Sequence, residues 1–167
     1  MMSLTCAVLT ISDTRTAAND TSGDLLVELL EADGHRLGDR ALVPDDVYRI
    51  RAVVSGWIAD ERVNAVISTG GTGFTGRDST PEALGPLFDK TIIGFGELFR
   101  QVSYHEIGAS TIQSRAVGGI ANGTLIFALP GSGNAVRTGW EKILRHQLDS
   151  TFRPCNLVEL IPRFRET

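Results

Sequence analysis

Apolar positions along the chain alternate between short unbroken runs and stretches spaced three and four apart. Residues 4–11, "LTCAVLTI", form one such run and end at the polar Ser12-Asp13-Thr14, which predicts a buried strand. Over 22–33 the residues Leu25, Leu26, Leu29 and Leu30 share a helical face, and Gly34 supplies the stop. A second strand is predicted over 36–43, followed by Pro44-Asp45. Val47, Ile50, Val54, Trp57 and Ile58 then carry helical spacing through 46–60. The short β-branched run 65–68 reads as a buried strand that leads straight into "TGGTGFTGRDSTPE". Beyond it a short helix is predicted over 81–88, and Phe95, Leu98, Phe99 and Val102 mark another amphipathic helix.

Residues 115–121 and 124–129 are two apolar runs separated by Asn122-Gly123, a strong short signal for an antiparallel hairpin. The last helix, 134–148, presents Val136, Trp140, Ile143, Leu144 and Leu148, and the tail from about 150 reads as extended over the surface. Strands alternating with helices predict one α/β domain spanning 1–167, a three-layer sandwich with a mostly parallel sheet and one antiparallel edge hairpin. In such folds ligands sit beyond the carboxyl ends of the strands. Ser12-Asp13, Asp45, the glycine-rich stretch 70–78 and Pro130-Gly131-Ser132 all fall at those ends.

Composition narrows the partners. The net charge of −4 and pI near 5.3 argue against general nucleic-acid binding, so an anion would need a local site built from backbone N–H groups, arginines or a metal. Two cysteines, Cys6 and Cys155, are too few for a disulfide framework, and His35, His105 and His146 show no metal spacing. No run approaches the length of a membrane span, and "MMSLTCAVLTI" lacks a basic leader region. A cytoplasmic protein is expected. Glycine, 18 of 167 residues, is about 11% against a usual ~7%, with much of the excess in loops.

The loop after the third strand matches two phosphate motifs by letters alone. Gly71-x-Gly73-x-x-Gly76 fits a dinucleotide fingerprint, but Pro81 delays the helix past the last glycine. Gly71-x4-Gly76 begins a P-loop, but Arg77-Asp78 stands where Lys and Ser/Thr belong. Asp78 is the informative departure. A carboxylate beside a phosphate repels it unless a cation lies between, and Mg²⁺ is typically held by one or two carboxylates plus phosphate oxygens. Helix capping does not require Asp78, because Ser79-x-x-Glu82 spells a capping box and Thr80 is an equally good cap. Backbone N–H groups, Arg77 and a carboxylate-held cation together suggest phosphoryl or nucleotidyl transfer. Asp45 reads two ways, as a cap for the following helix or as a ligand residue. A second strand–glycine–helix junction, Leu129-Pro-Gly-Ser-Gly133, adds another turn suited to anions.

"TGGTGFTGRDSTPEAL" resembles the signature of the molybdenum-cofactor biosynthesis family, which includes MogA, MoaB and the G domain of gephyrin. "ISDTR", "LVPDD", "GFGELFR", "QSRAVGGI" and "ALPGS" extend the likeness over nearly the whole chain, and the segment 103–132 with "RPCN" is most similar to the MoaB branch. The resemblance implies binding of molybdopterin, adenylylation of that pterin phosphate with Mg-ATP and release of pyrophosphate; pterin binding without transfer is the alternative. It implies a homotrimer or homohexamer and a molybdenum-insertion enzyme as candidate partner. By position it implies Asp45 and Asp78 as the catalytic, Mg²⁺-associated aspartates and Gly70, Gly71, Thr72 and Gly73 as the nucleotide and pterin loop. Ser12, Asp13, Asp20, Ser22, Gly23, Glu97, Ser114, Arg115, Pro130, Gly131 and Ser132 match further pocket positions.

Overall fold

Residue alternation along three central strands generates the layers. In the computed structural model, which describes residues 1–166, β1 (Thr5–Ile11) sends Cys6 and Val8 to one side and Ala7, Leu9 and Ile11 to the other. β3 (Ala65–Thr69) and β6 (Thr124–Leu129) do the same, with Ile67 and Phe127 on the first side, and Val66 and Ile126 on the second. Both faces are therefore apolar, as a parallel sheet covered on both sides requires.

Leu26 and Leu30 of α1 (Thr21–Ala32), Phe95 and Phe99 of α4 (Ile93–Ile107) and Val136 of α5 (Gly133–Gly139) cover the first face. Ile50, Val54 and Trp57 of α2 (Val47–Ala59), with Ala83 and Leu84 of α3 (Thr80–Leu84), cover the second. Each buried tryptophan finds an acceptor for its indole N–H: Trp57 on Asp39 at 2.8 Å and Trp140 on Asp33 at 2.7 Å.

With β2 (Arg36–Val43), β5 (Val117–Ala121) and β4 (Lys90–Thr91), the sheet order is β2-β1-β3-β6-β5-β4. β2, β1, β3 and β6 are parallel, and β5 runs antiparallel to β6 through a turn with φ of +48° at Asn122 and +82° at Gly123. The expected α/β sandwich is observed. The hairpin is not itself the outer edge, since β4 adds one more antiparallel pairing outside β5. Two exposed residues leave no hydrophobic period by which β4 could be read.

The helix expected over 81–88 divides at Pro86, giving α3 and a 3-10 turn over Gly85–Leu87. Proline cannot donate to the Glu82 carbonyl, and Arg51 from α2 takes that oxygen at 2.9 Å and the Ala83 carbonyl at 3.0 Å. The last helix also divides, into α5, a π turn over Trp140–Leu144 and α6 (Arg145–Gln147), while every apolar residue assigned to its inner face is buried. The tail is not straight: it makes a 3-10 turn over Val158–Arg163, with Val158 buried and Leu157, Ile161 and Phe164 packed on the first core face. Among the described residues no helix is long and apolar enough to cross a membrane.

Candidate active site

Three loops leave the carboxyl ends of β1, β2 and β3 and meet around the glycines. Gly70 and Gly71 have φ of +105° and +68°, and a Cβ on Gly70 would lie 2.1 Å from the Ile11 carbonyl oxygen. Only glycine permits both the backbone conformation and that approach. A Cβ on Gly71 would strike the Thr80 hydroxyl and, at 2.6 Å, the Asp45 carboxylate; one on Gly73 would come within 2.7 Å of the Asp78 carboxylate. The loop thus threads between the two aspartates, with no room for side chains at those positions. Gly76 has open space around it, so its place in the GxGxxG lettering reflects no steric need.

A cleft of about 440 Å³ opens beside the loop. Gly70, Gly71, Thr72, Gly73, Asp78, Ser114, Pro130, Gly131 and Ser132, which the family resemblance implies as site residues, are among those that line it. A Cβ on Gly131 would lie 3.4 Å from the Gly70 Cα, so the two glycine turns abut. Among the described residues, the N–H groups of Gly71, Thr72 and Gly73 find no acceptor in the chain. Ser114, on the cleft lining, has a buried hydroxyl oxygen with no hydrogen-bond partner among the described residues. Unpaired donors around a concavity suit an anionic ligand. Phe99, Ser103, Ile107, Ser110 and Gln113 form further parts of the walls. Sequence reading assigned Phe99 to helix packing and gave the others no place in the site; the packing of α4 and the 3-10 turn over Gly108–Gln113 beside the loop brings them there.

Other expected residues stand elsewhere. Ser12, Asp20 and Ser22 line a small adjoining cavity of about 70 Å³ that shares Ile11 and Gly131 with the cleft. Asp20 caps α1 through the Gly23 N–H at 3.0 Å and accepts from Thr10 and Arg40. Burial opposes its ionisation, but those hydrogen bonds win and hold its carboxyl below the usual range. Gly23 is required because a Cβ there would collide with Asp20 and Thr10. Glu97 stands exposed on α4, away from the cleft lining. Arg115 lies behind the loop, donating to the Gly73 carbonyl at 2.8 Å and the Asp78 carbonyl at 3.0 Å, pairing with Glu82 and stacking its guanidinium 5.1 Å from the Phe74 ring centre. It shapes the loop from within.

The capping box is not formed. Ser79 makes no side-chain cap; its hydroxyl and N–H donate to Asp45, Glu82 pairs with Arg115, and Thr80 donates to the Gly70 carbonyl. Asp46, not Asp45, caps α2, through the N–H groups of Tyr48 and Arg49. Asp45 is freed from capping, and it lies 7% exposed against Gly71 rather than on the cleft wall. Burial, with the nearby charges of Asp78 and Asp13, raises its carboxyl above the usual range against the two hydrogen bonds from Ser79. Asp78 is half-buried, and its Oδ2 accepts from the Thr75 N–H at 2.9 Å and hydroxyl at 2.7 Å, while Oδ1 has no hydrogen-bond partner among the described residues. Arg77, read from sequence as part of an anion site, is already held: its Nε and Nη2 donate to Asp13 at 2.9 and 2.7 Å.

Among the described residues no group of three or more His, Cys, Asp or Glu side chains could enclose a cation. Two carboxylates, one with an unpartnered oxygen, beside free backbone donors do fit Mg²⁺ completed by phosphate oxygens, the way that ion is commonly held. A wider groove of about 550 Å³ at the opposite ends of the strands has its charged groups paired, Arg62 to Asp60 and Arg36 to Thr5.

Residues 7–150 match the family described as "Probable molybdopterin binding domain". The chain belongs to this family. It is 55% identical over 150 residues to molybdenum cofactor biosynthesis protein B of Escherichia coli K12, covering 90% of this chain and 88% of the relative. A solved molybdenum cofactor biosynthesis protein B superposes with a TM-score of 0.85 at 45% identity, over 88% of this chain and 92% of that one. The tungsten cofactor synthesizing protein MoaB of Pyrococcus furiosus gives 0.81 at 35% identity, over 98% of both chains. The glycine loop and its two aspartates are therefore features of a molybdenum-cofactor biosynthesis protein with the MoaB/MogA fold.

Proposed function

We propose that the cleft binds molybdopterin and ATP and transfers adenylate to the pterin phosphate, releasing pyrophosphate. The observation that carries this reading is the glycine loop threaded between Asp45 and Asp78, with the unpartnered amides of Gly71, Thr72 and Gly73 beside it. Carboxylates placed next to anion donors are self-defeating unless a cation joins them. Asp78 Oδ1 and the buried Asp45 would hold Mg²⁺, which supplies neutralisation of the charge developing on the phosphates. The loop amides and the second glycine turn, Pro130-Gly131-Ser132, orient the phosphates, and Ser114 offers its free hydroxyl to the ligand. Because the cleft is shared between both turns, the attacking pterin phosphate and the α-phosphate of ATP are brought together, and positioning does much of the work.

A cytoplasmic homo-oligomer delivering its product to a molybdenum-insertion enzyme completes the proposal. Incubation of the pure protein with molybdopterin and Mg-ATP is expected to yield adenylyl-molybdopterin and pyrophosphate, read by chromatography. Calorimetry showing tight pterin binding with no ATP binding and no product would instead identify a non-catalytic carrier. Asp45's position off the cleft wall is the observation that favours that second outcome.

A further inference from the structure

The Asp13 carboxylate joins all three loops of the site. Its two oxygens receive Arg77 from the glycine loop in a forked, two-point contact, and Oδ1 also accepts the Asp45 N–H at 3.0 Å. Residues 77–79 therefore act in sequence. Arg77 reaches Asp13, Asp78 faces Gly73 and the cleft, and Ser79 donates to Asp45. We propose that Arg77 and Asp13 are positioning residues, a strut that sets Asp45 in register with Asp78, and that Arg77 is not a phosphate ligand. The inference rests on the cleft being the transfer site.

The geometry supports a positioning role over a purely structural one. The pair is exposed, 67% for Arg77 and 36% for Asp13, and exposed ion pairs contribute little to stability. A planar fork on a carboxylate fixes direction as well as distance, which is what aligning a loop requires. Among the described residues it is the ion pair that joins the glycine loop to the loop after β1.

Arg77→Gln, Asp13→Asn and the double variant test this in two independent ways. Each single variant is expected to keep its fold, to accelerate hydrogen exchange at the Asp45 and Ser79 amides, and to lower turnover by about 10–100-fold, the scale of a small misplacement of catalytic groups. The KM for Mg-ATP should stay near that of the parent, and the double variant should be no worse than either single one, as for two groups acting as a unit. A raised KM in Arg77→Gln that Asp13→Asn does not reproduce, with additive losses in the double variant, would make Arg77 a phosphate ligand and overturn the strut. Should the parent protein transfer no adenylate, the exchange measurement still decides: unchanged protection at Asp45 and Ser79 in Arg77→Gln sinks the proposal, and faster exchange upholds the strut without the chemistry.

Discussion

Asp45 is held where its charge is least welcome. It is buried, sits near Asp13 and Asp78, and its carboxylate accepts hydrogen bonds from the Ser79 hydroxyl and amide. A carboxyl whose folded pKa lies above its unfolded value favours folding only in its protonated form, and the ionised form costs stability as pH rises through the folded pKa. Asp45→Asn keeps the acceptor for Ser79 and removes the charge. It should therefore raise the thermal midpoint at pH 7. The gain should shrink as pH falls into the carboxylate range, where the parent's Asp45 is protonated too. Adenylyl transfer should fall in the same variant by about 10²–10³, as when a well-placed electrostatic contributor is lost. Melting curves at pH 7 and pH 4 beside single-turnover rates measure both, and a midpoint lowered at pH 7 would mean that the charge is structural. Asp78→Asn loses no cap, because Asp78 caps nothing; it keeps one acceptor for Thr75 and should melt near the parent temperature.

At the scale of elements, the glycine loop is intolerant for two separable reasons. Gly71 has positive φ and faces Asp45 and Thr80, whereas Gly73 lies outside the positive-φ set and is excluded only by the Asp78 carboxylate. Gly71→Val should abolish ligand binding and also destabilise the fold. Gly73→Val should displace Asp78 and remove binding with a smaller loss of thermal midpoint, while Gly76→Ala, with open space around it, should do neither. Normal ATP and molybdopterin binding by either valine variant would make the loop a plain turn. The strands and the faces of the helices were legible in the chain because burial of period 2 or 3.6 writes itself into residue type. What was not legible depends on neighbours distant in sequence. Ser79 abandons a local capping box for Asp45, 34 residues away. Arg77, though exposed, pairs with Asp13, 64 residues away. The tail docks on a core face that exists only once the helices have packed. Asp78 stood out because Asp beside glycine-rich anion donors is locally inconsistent, and such conflicts mark functional sites; Asp45 read equally as a cap, and the family resemblance alone pointed to it.

At the scale of the molecule, four of the exposed apolar residues are gathered on one side of α4 and the turn after it. Ile93, Tyr104 and Ile107 lie along α4 at helical spacing, 67%, 59% and 48% exposed, and Ile112 follows on the next turn at 75%. Ile107 is also a wall of the cleft, so whatever covers this stripe reaches the site itself. The cover expected from the family resemblance is a second copy of the chain, as in a trimer or hexamer, and an unpaired apolar stripe on a protein surface commonly marks a subunit contact. Sedimentation at micromolar concentration should show a trimer or larger, and Tyr104→Glu, which places a charge in the centre of the stripe, should weaken association by at least about 30-fold, the loss of one hot-spot side chain. Because Ile107 joins the stripe to the cleft, the dissociated variant should also bind molybdopterin more weakly while its melting curve keeps a single cooperative transition. A stable monomer of the parent chain, or a Tyr104→Glu protein that sediments like the parent, would remove the stripe as a subunit contact and leave the cleft complete within one chain.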